Sequence, residues 1–274
     1  MLTVRNDQMA ALAEDVLRAF EDRTYGHLLR YFPHHCDLLG EVQVRRVILH
    51  GWRRAKRHGL EAECCVRSYI DLMFVLGGGF DNDALMSWAK EILSDQTPMS
   101  QVERGDLLYE AAWSYIRRIA RDYRDENGQP TTARFVGELR QFRTMQDREL
   151  TPSERQESQA SLFQRIERLF PAKCAYVGEA VVRQVIARSI EDAVQRHALT
   201  TERGIMLFVM MRFILGAELD DDPLLPWVAS TLRDQTQLEP GDRVDKLFLA
   251  AVSFLRRWWE APSPLDLNLQ EQSD

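Results

Sequence analysis

Chain breakers are scarce in this sequence. Ten prolines and fourteen glycines are spread over 274 residues, and long β-branched runs are few. Such a composition leans helical, because Gly and Pro oppose helix interiors most strongly and β-branched residues favour strands. Cysteine is scarce as well. Cys36, Cys64, Cys65 and Cys174 show no C-x-x-C spacing, which argues against a disulfide scaffold and points to a reducing compartment. Long apolar runs are missing: the two most hydrophobic stretches, 70–76 and 205–215, are too short to cross a bilayer and carry Asp71 and Arg212. A basic excess is missing too. Forty-two acids against 35 bases give a net charge of −7 at pH 7, so no field draws the chain to nucleic acid or anionic membrane, whereas a basic protein partner suits it. The leading segment MLTVRNDQMAALAED lacks the basic-then-apolar order of a cleaved leader. The expectation is a cytoplasmic protein that neither inserts in a membrane nor binds nucleic acid.

What the sequence does contain is an internal repeat, the sign to seek before any motif. Phe32-Pro33, Cys36 and Gly40-Glu41 match Phe170-Pro171, Cys174 and Gly178-Glu179 at a shift of 138. Val44-Arg45, Val47 and Ile48 fall on Val182-Arg183, Val185 and Ile186 at the same shift. The shift then becomes 139, pairing His58 with His197, Phe74 with Phe213, and Leu76-Gly77 with Leu215-Gly216. Asp81 and Asp83 meet Asp220 and Asp222, Trp88 meets Trp227, and Asp95-Gln96-Thr97 meets Asp234-Gln235-Thr236.

Apolar spacing of three and four predicts helices over 5–31, 41–58, 62–76, 84–93 and 100–122, repeated over 152–169, 179–197, 201–215, 223–232 and 240–259. The expected fold is all-α: two tandem copies of a roughly five-helix module forming a two-lobed helical scaffold. The modules cover 1–124 and 152–261. A linker at 125–151 carries one short helix, with Phe135, Leu139 and Phe142 on its apolar face, and an acidic tail occupies 262–274.

No catalytic, cofactor or metal constellation emerges, and the chain is read as a non-enzyme. His34-His35-Cys36 lacks a second ligand pair at zinc spacing and becomes Ala172-Lys173-Cys174 in the second copy; a surface loop is expected there. Cys64-Cys65 opens the most apolar helix of its module, where free thiols act as small hydrophobes. Gly77-Gly78-Gly79 follows a helix rather than a strand and ends without GK[ST], so a helix C-cap explains it. Asp81-Asn82-Asp83 and Asp220-Asp221-Asp222 are read as helix caps. Residues where the copies differ are the candidates for holding a protein partner: His34, His35, Trp52, Arg53, Arg54, and the Trp258-Trp259 end of the last helix.

The stretch His50-Gly51-Trp52-Arg53-Arg54-Ala55, followed by His58-Gly59-Leu60, Tyr69-Ile70-Asp71-Leu72-Met73-Phe74-Val75-Leu76-Gly77, Phe80-Asp81-Asn82-Asp83 and Trp88-Ala89, resembles all-helical accessory proteins encoded in bacterial type VI secretion effector clusters. The resemblance covers most of the first module and, more weakly, the second. It implies an adaptor or co-chaperone for an effector; the alternatives it leaves are an immunity protein that neutralises a toxin, and an effector enzyme of unrecognised chemistry. In the second copy Ser189-Ile190-Glu191-Asp192 replaces Gly51-Trp52-Arg53-Arg54, so the two copies are not expected to have equal roles.

Overall fold

Pro33 does more than end the helix before it. A proline has no N–H to lose in a helical first turn and its φ is already helical, so α1 (Asn6–Tyr31) stops and α2 (Pro33–Leu39) starts one residue later. Phe32 makes the bend, and Phe170 makes the same bend ahead of Pro171 at the start of α9 (Pro171–Val177). His34, His35 and Cys36 therefore sit on a short helix rather than the expected surface loop. Each short helix ends at a glycine with positive φ, Gly40 at +74° and Gly178 at +90°, a conformation that Cβ-bearing residues rarely adopt.

The computed structural model describes residues 6–123, 131–145, 147–233 and 240–259. Its described elements are all helical apart from one isolated backbone bridge between Glu149 and Thr201. The first half continues with α3 (Glu41–Arg57), α4 (Glu63–Leu76), 3-10 turns at Phe80–Asn82 and Ala84–Met86, α5 (Ser87–Ser94) and α6 (Gln101–Tyr123). Next comes α7 (Thr132–Thr144), whose Phe135, Leu139 and Phe142 are buried. Then follow α8 (Pro152–Leu169), α9, α10 (Glu179–Gln195), α11 (Glu202–Leu215), α12 (Pro226–Arg233) and α13 (Pro240–Trp259). The tail at 262–274 and the first residues of the linker lie outside the described residues. No described helix is long and apolar enough to cross a membrane.

Helix lengths recur between the halves: 17 residues in α3 and α10, 14 in α4 and α11, eight in α5 and α12. The central pair are the most apolar, and every residue of α11 from Arg203 to Phe213 is buried; a helix that is apolar all round belongs inside. Gly51 lets α3 close on α4, since a Cβ there would stand 2.6 Å from Ile70 Cγ1 and 2.8 Å from Met73 Sδ. The caps follow ordinary rules. The Thr151 hydroxyl accepts from Glu154 N while the Glu154 carboxylate accepts from Thr151 N, a reciprocal box that starts α8.

The buried apolar residues form one cluster running from Phe20 to Leu255. Helices from the two halves cross into each other's territory: α9 packs along α6, and α13 packs along α2, α7 and α11. The last helix of each half is thus covered by the short Pro-initiated helix of the other.

Candidate functional site

Where the halves meet, two matching corners exchange hydrogen bonds. Gly77 ends α4 at φ +102°, and Gly216 ends α11 at φ +110°. Six residues beyond each glycine stands a buried aspartate. Asp83 accepts from Leu85 N at 2.8 Å in its own turn and from Ala217 N at 3.1 Å in the other half. Asp222 does the mirror job, accepting from Leu224 N at 2.8 Å and from Gly78 N at 2.7 Å. A Cβ on Gly78 would collide with the Asp222 carboxylate, which is why the second glycine of the Gly77-Gly78-Gly79 run is needed. Capping, the role expected of these aspartates, is half of what they do; the other half is to clasp the halves together.

Burial raises the Asp222 pKa to about 6, against the lowering pull of the N–H groups of Leu224 and Gly78. A carboxylate with a raised folded pKa contributes stability that is complete below its unfolded value of 3.8 and lost as pH rises through about 6. At about 1.4 kcal/mol per unit this amounts to roughly 3 kcal/mol. Urea unfolding should therefore show the wild type losing stability relative to Asp222→Asn between pH 4 and pH 7. An unchanged difference across that range would contradict the assignment.

A second cluster links the halves beside this corner. Arg54 on α3 is 8% exposed and donates to both Asp81 and Glu218. His58 Nε2 lies 2.7 Å from Asp81 Oδ2. Burial alone would raise the Asp81 pKa, but hydrogen bonds from His58 and Arg54 outweigh it and hold the carboxyl at about 2. In the second half His197 Nε2 stands 3.1 Å from Asp220, whereas Asp192 occupies the place of Arg54 and pairs with Arg212 of α11. The charge is reversed and the ion pair rebuilt.

The candidate residues from the sequence fall into three settings. Arg54 points inward, while Arg53 is exposed and Trp52 is half-buried under the Lys56 ammonium, 4.3 Å from the ring centroid. His34, His35 and Trp258 meet one another across the α2–α13 contact. His34 Nε2 lies 2.6 Å from the Arg257 carbonyl oxygen, and the His35 and Trp258 rings stand edge to face at 4.0 Å. The Trp259 side chain lies outside the described residues. Of the two adjacent thiols, burial pushes Cys65 up to about 11, far from the range in which a thiol is a ready nucleophile.

Between the two halves lies a cavity of about 270 Å³, lined by α2, α4, α6, α9, α11 and α13. Its wall is aromatic and aliphatic, with Phe32, Phe74, Tyr115, Phe170, Leu215, Phe254 and Trp258, and it also carries His35, Asp83, Asp122, Arg134, Lys173 and Asp222. His35 and Lys173 occupy equivalent positions in the two halves, as do Asp83 and Asp222. Burial, with the neighbouring His34, lowers the His35 pKa to about 4 and keeps its ring neutral. Lys173 escaped notice in the sequence because it appears only as a replacement for a histidine in a short helix. Its signal was a lysine beside Cys174, at the position where the first half has His35. No protein-family model matches the chain, and no curated protein or solved structure matches it either.

Proposed function

We propose that the chain is a non-enzymatic, cytoplasmic protein-binding scaffold: an adaptor or co-chaperone that holds a type VI secretion effector, or that effector's own adaptor, for loading onto the spike. The observation that carries protein binding is the leading half of α1. Leu12 and Val16, one helical turn apart, are 59% and 62% exposed, whereas Phe20 one turn later is buried. Glu14, Asp15 and Arg18 beside them are also exposed. An exposed apolar i, i+4 pair flanked by charged side chains is the form that helix-in-groove partners take up, and exposed apolar patches mark such surfaces.

On this reading the halves are tandem copies of one module, the residues they share hold the core and corners, and those they do not share make an asymmetric two-lobed surface for one client. Trp52 and Arg53 belong to that unshared surface, and the net charge of −7 favours a basic client by steering its approach. The resemblance to type VI accessory proteins supplies the identity of the client.

Co-purification with the products of the neighbouring genes tests the proposal. The wild type should capture the effector or its adaptor. The double variant Leu12→Lys/Val16→Lys should lose capture by about tenfold or more, a change of about 1.4 kcal/mol. Its urea midpoint should stay within about 0.5 kcal/mol of wild type, as for other surface changes. If a neighbouring toxin kills cells lacking this gene and co-expression rescues them, immunity replaces the adaptor role. Toxicity of the chain expressed alone would replace both with an effector.

A further inference from the structure

The cavity between the halves holds a charged group that the fold leaves under-paired. Lys173 on α9 is 5% exposed. Its Nζ donates to the Phe213 carbonyl oxygen at 2.7 Å and lies 4.7 Å from the centre of the Phe213 ring. No carboxylate among the described residues lies within ion-pair distance of it; burial lowers its pKa, and Asp83 and Asp122 pull the other way only through space. An ammonium has three N–H groups, so one carbonyl leaves two of them without an acceptor.

The carboxylates on the same wall are in the opposite situation. Asp83 and Asp222 each accept from two backbone N–H groups, as described above. Asp122 accepts from Ala172 N at 3.0 Å and from Lys173 N at 2.7 Å. The negative groups are served by backbone donors, while Lys173, the buried one of the two cationic side chains on the wall (Arg134 is exposed), keeps two N–H groups without an acceptor. Buried charges in folded proteins are ordinarily paired or hydrogen-bonded in full, and a deficit beside a cavity marks the place of an anionic ligand group.

We propose that this cavity is a binding site for a small apolar monocarboxylic acid, with its carboxylate on Lys173 Nζ and its apolar body among Phe32, Phe74 and Trp258. The size fits a modest molecule: about 270 Å³ is roughly nine water volumes at about 30 Å³ each, and lies just below the range of about 300–1,000 Å³ typical of drug-sized ligands. A single acidic head is indicated because the equivalent position in the other half is the neutral His35. The rest of the wall offers ring faces and methyl groups, which suit a hydrocarbon body.

Calorimetry on the full chain at pH 7 tests this with three probes of equal length and different heads: sodium octanoate, 1-octanol and n-octylamine. Octanoate should bind, octanol should bind about tenfold more weakly or worse, and octylamine should not bind. Lys173→Met should reduce octanoate affinity to that of octanol while leaving octanol unchanged. Ile119→Trp, which fills the cavity from α6, should abolish binding of both. Octylamine binding as tightly as octanoate would make the aspartates the anchor and overturn the proposal. So would undiminished octanoate binding in Lys173→Met, or no octanoate binding to the wild type at millimolar concentration. The comparison of three heads on the wild type decides the matter even if Lys173→Met fails to fold.

Discussion

Replacing Arg54 with methionine should cost about 3–5 kcal/mol of stability, the usual result of removing one partner from a buried ion pair. Asp81 is 6% exposed and would keep the His58 ring as its side-chain hydrogen-bond partner. Glu218 can turn to water, since its side chain is 28% exposed; Asp81 cannot. The loss should therefore be carried by the stranded Asp81 rather than by the missing contact with Glu218. The double variant Arg54→Met/Asp81→Leu separates the two, because it leaves no buried carboxylate uncompensated, and it should recover at least half of the loss in urea unfolding.

The same cluster sets a pH dependence of opposite sign to that of Asp222. A depressed folded pKa gives stability that is present above the unfolded value of 3.8 and lost as pH falls towards about 2. The gap between wild type and Arg54→Met should accordingly be widest near neutrality and shrink in acid. If the single variant matches wild type at pH 7, or if the gap does not narrow on acidification, Asp81 is not the group that Arg54 sustains.

Phe170→Ala should produce a loss of similar size, about 3–5 kcal/mol by the precedent of buried Phe-to-Ala changes. Phe170 is 2% exposed and forms the bend before α9. Its ring lies 5.5 Å from Phe213, 5.7 Å from Tyr123 and 6.0 Å from Phe135, centre to centre. It thus ties α11, α6 and α7 together at one wall of the cavity. The equivalent Phe32 is also buried but meets a different set of rings, Phe74 at 5.1 Å and His35 at 6.0 Å. Phe170→Ala should therefore cost more than Phe32→Ala when both are unfolded in urea. Equal or reversed costs would mean that the aromatic cluster around α7 adds nothing beyond the buried area.

The all-helical nature of the chain could be read because apolar spacing of three and four is a local property, and each helix carries its own. The glycine that ends α4 was legible for the same reason: Gly77 closes the helix through a hydrogen bond to Met73 four residues back. The short helix α2 was not, because a proline after an apolar helix reads equally well as a stop and as a start. The site was less legible still. Asp83 and Asp222 sit in turns where a capping role satisfies local rules, and nothing nearby reveals that their second donors are Ala217 and Gly78. Arg54 looked like a surface difference between the matching segments, since Asp192 at the equivalent position carries the opposite charge; both are inward ion-pair partners with different counterions. Lys173 needed the structure most. Its meaning depends on a shortage of acceptors around one nitrogen, and a shortage has no sequence pattern.

The clasp between the corners also has a consequence in time. Gly78 leaves the ribosome 144 residues before Asp222, the carboxylate it donates to. At about 5–20 residues per second of synthesis, the first half waits roughly 7–30 s with its α4 corner unclasped and α6 without α9. Over that interval the nascent chain presents an apolar surface that only its own later residues will cover. Slowing translation between the two halves should lengthen the interval and raise the fraction of chain lost to aggregation, whereas supplying residues 131–274 as a separate polypeptide should compete for the same surface.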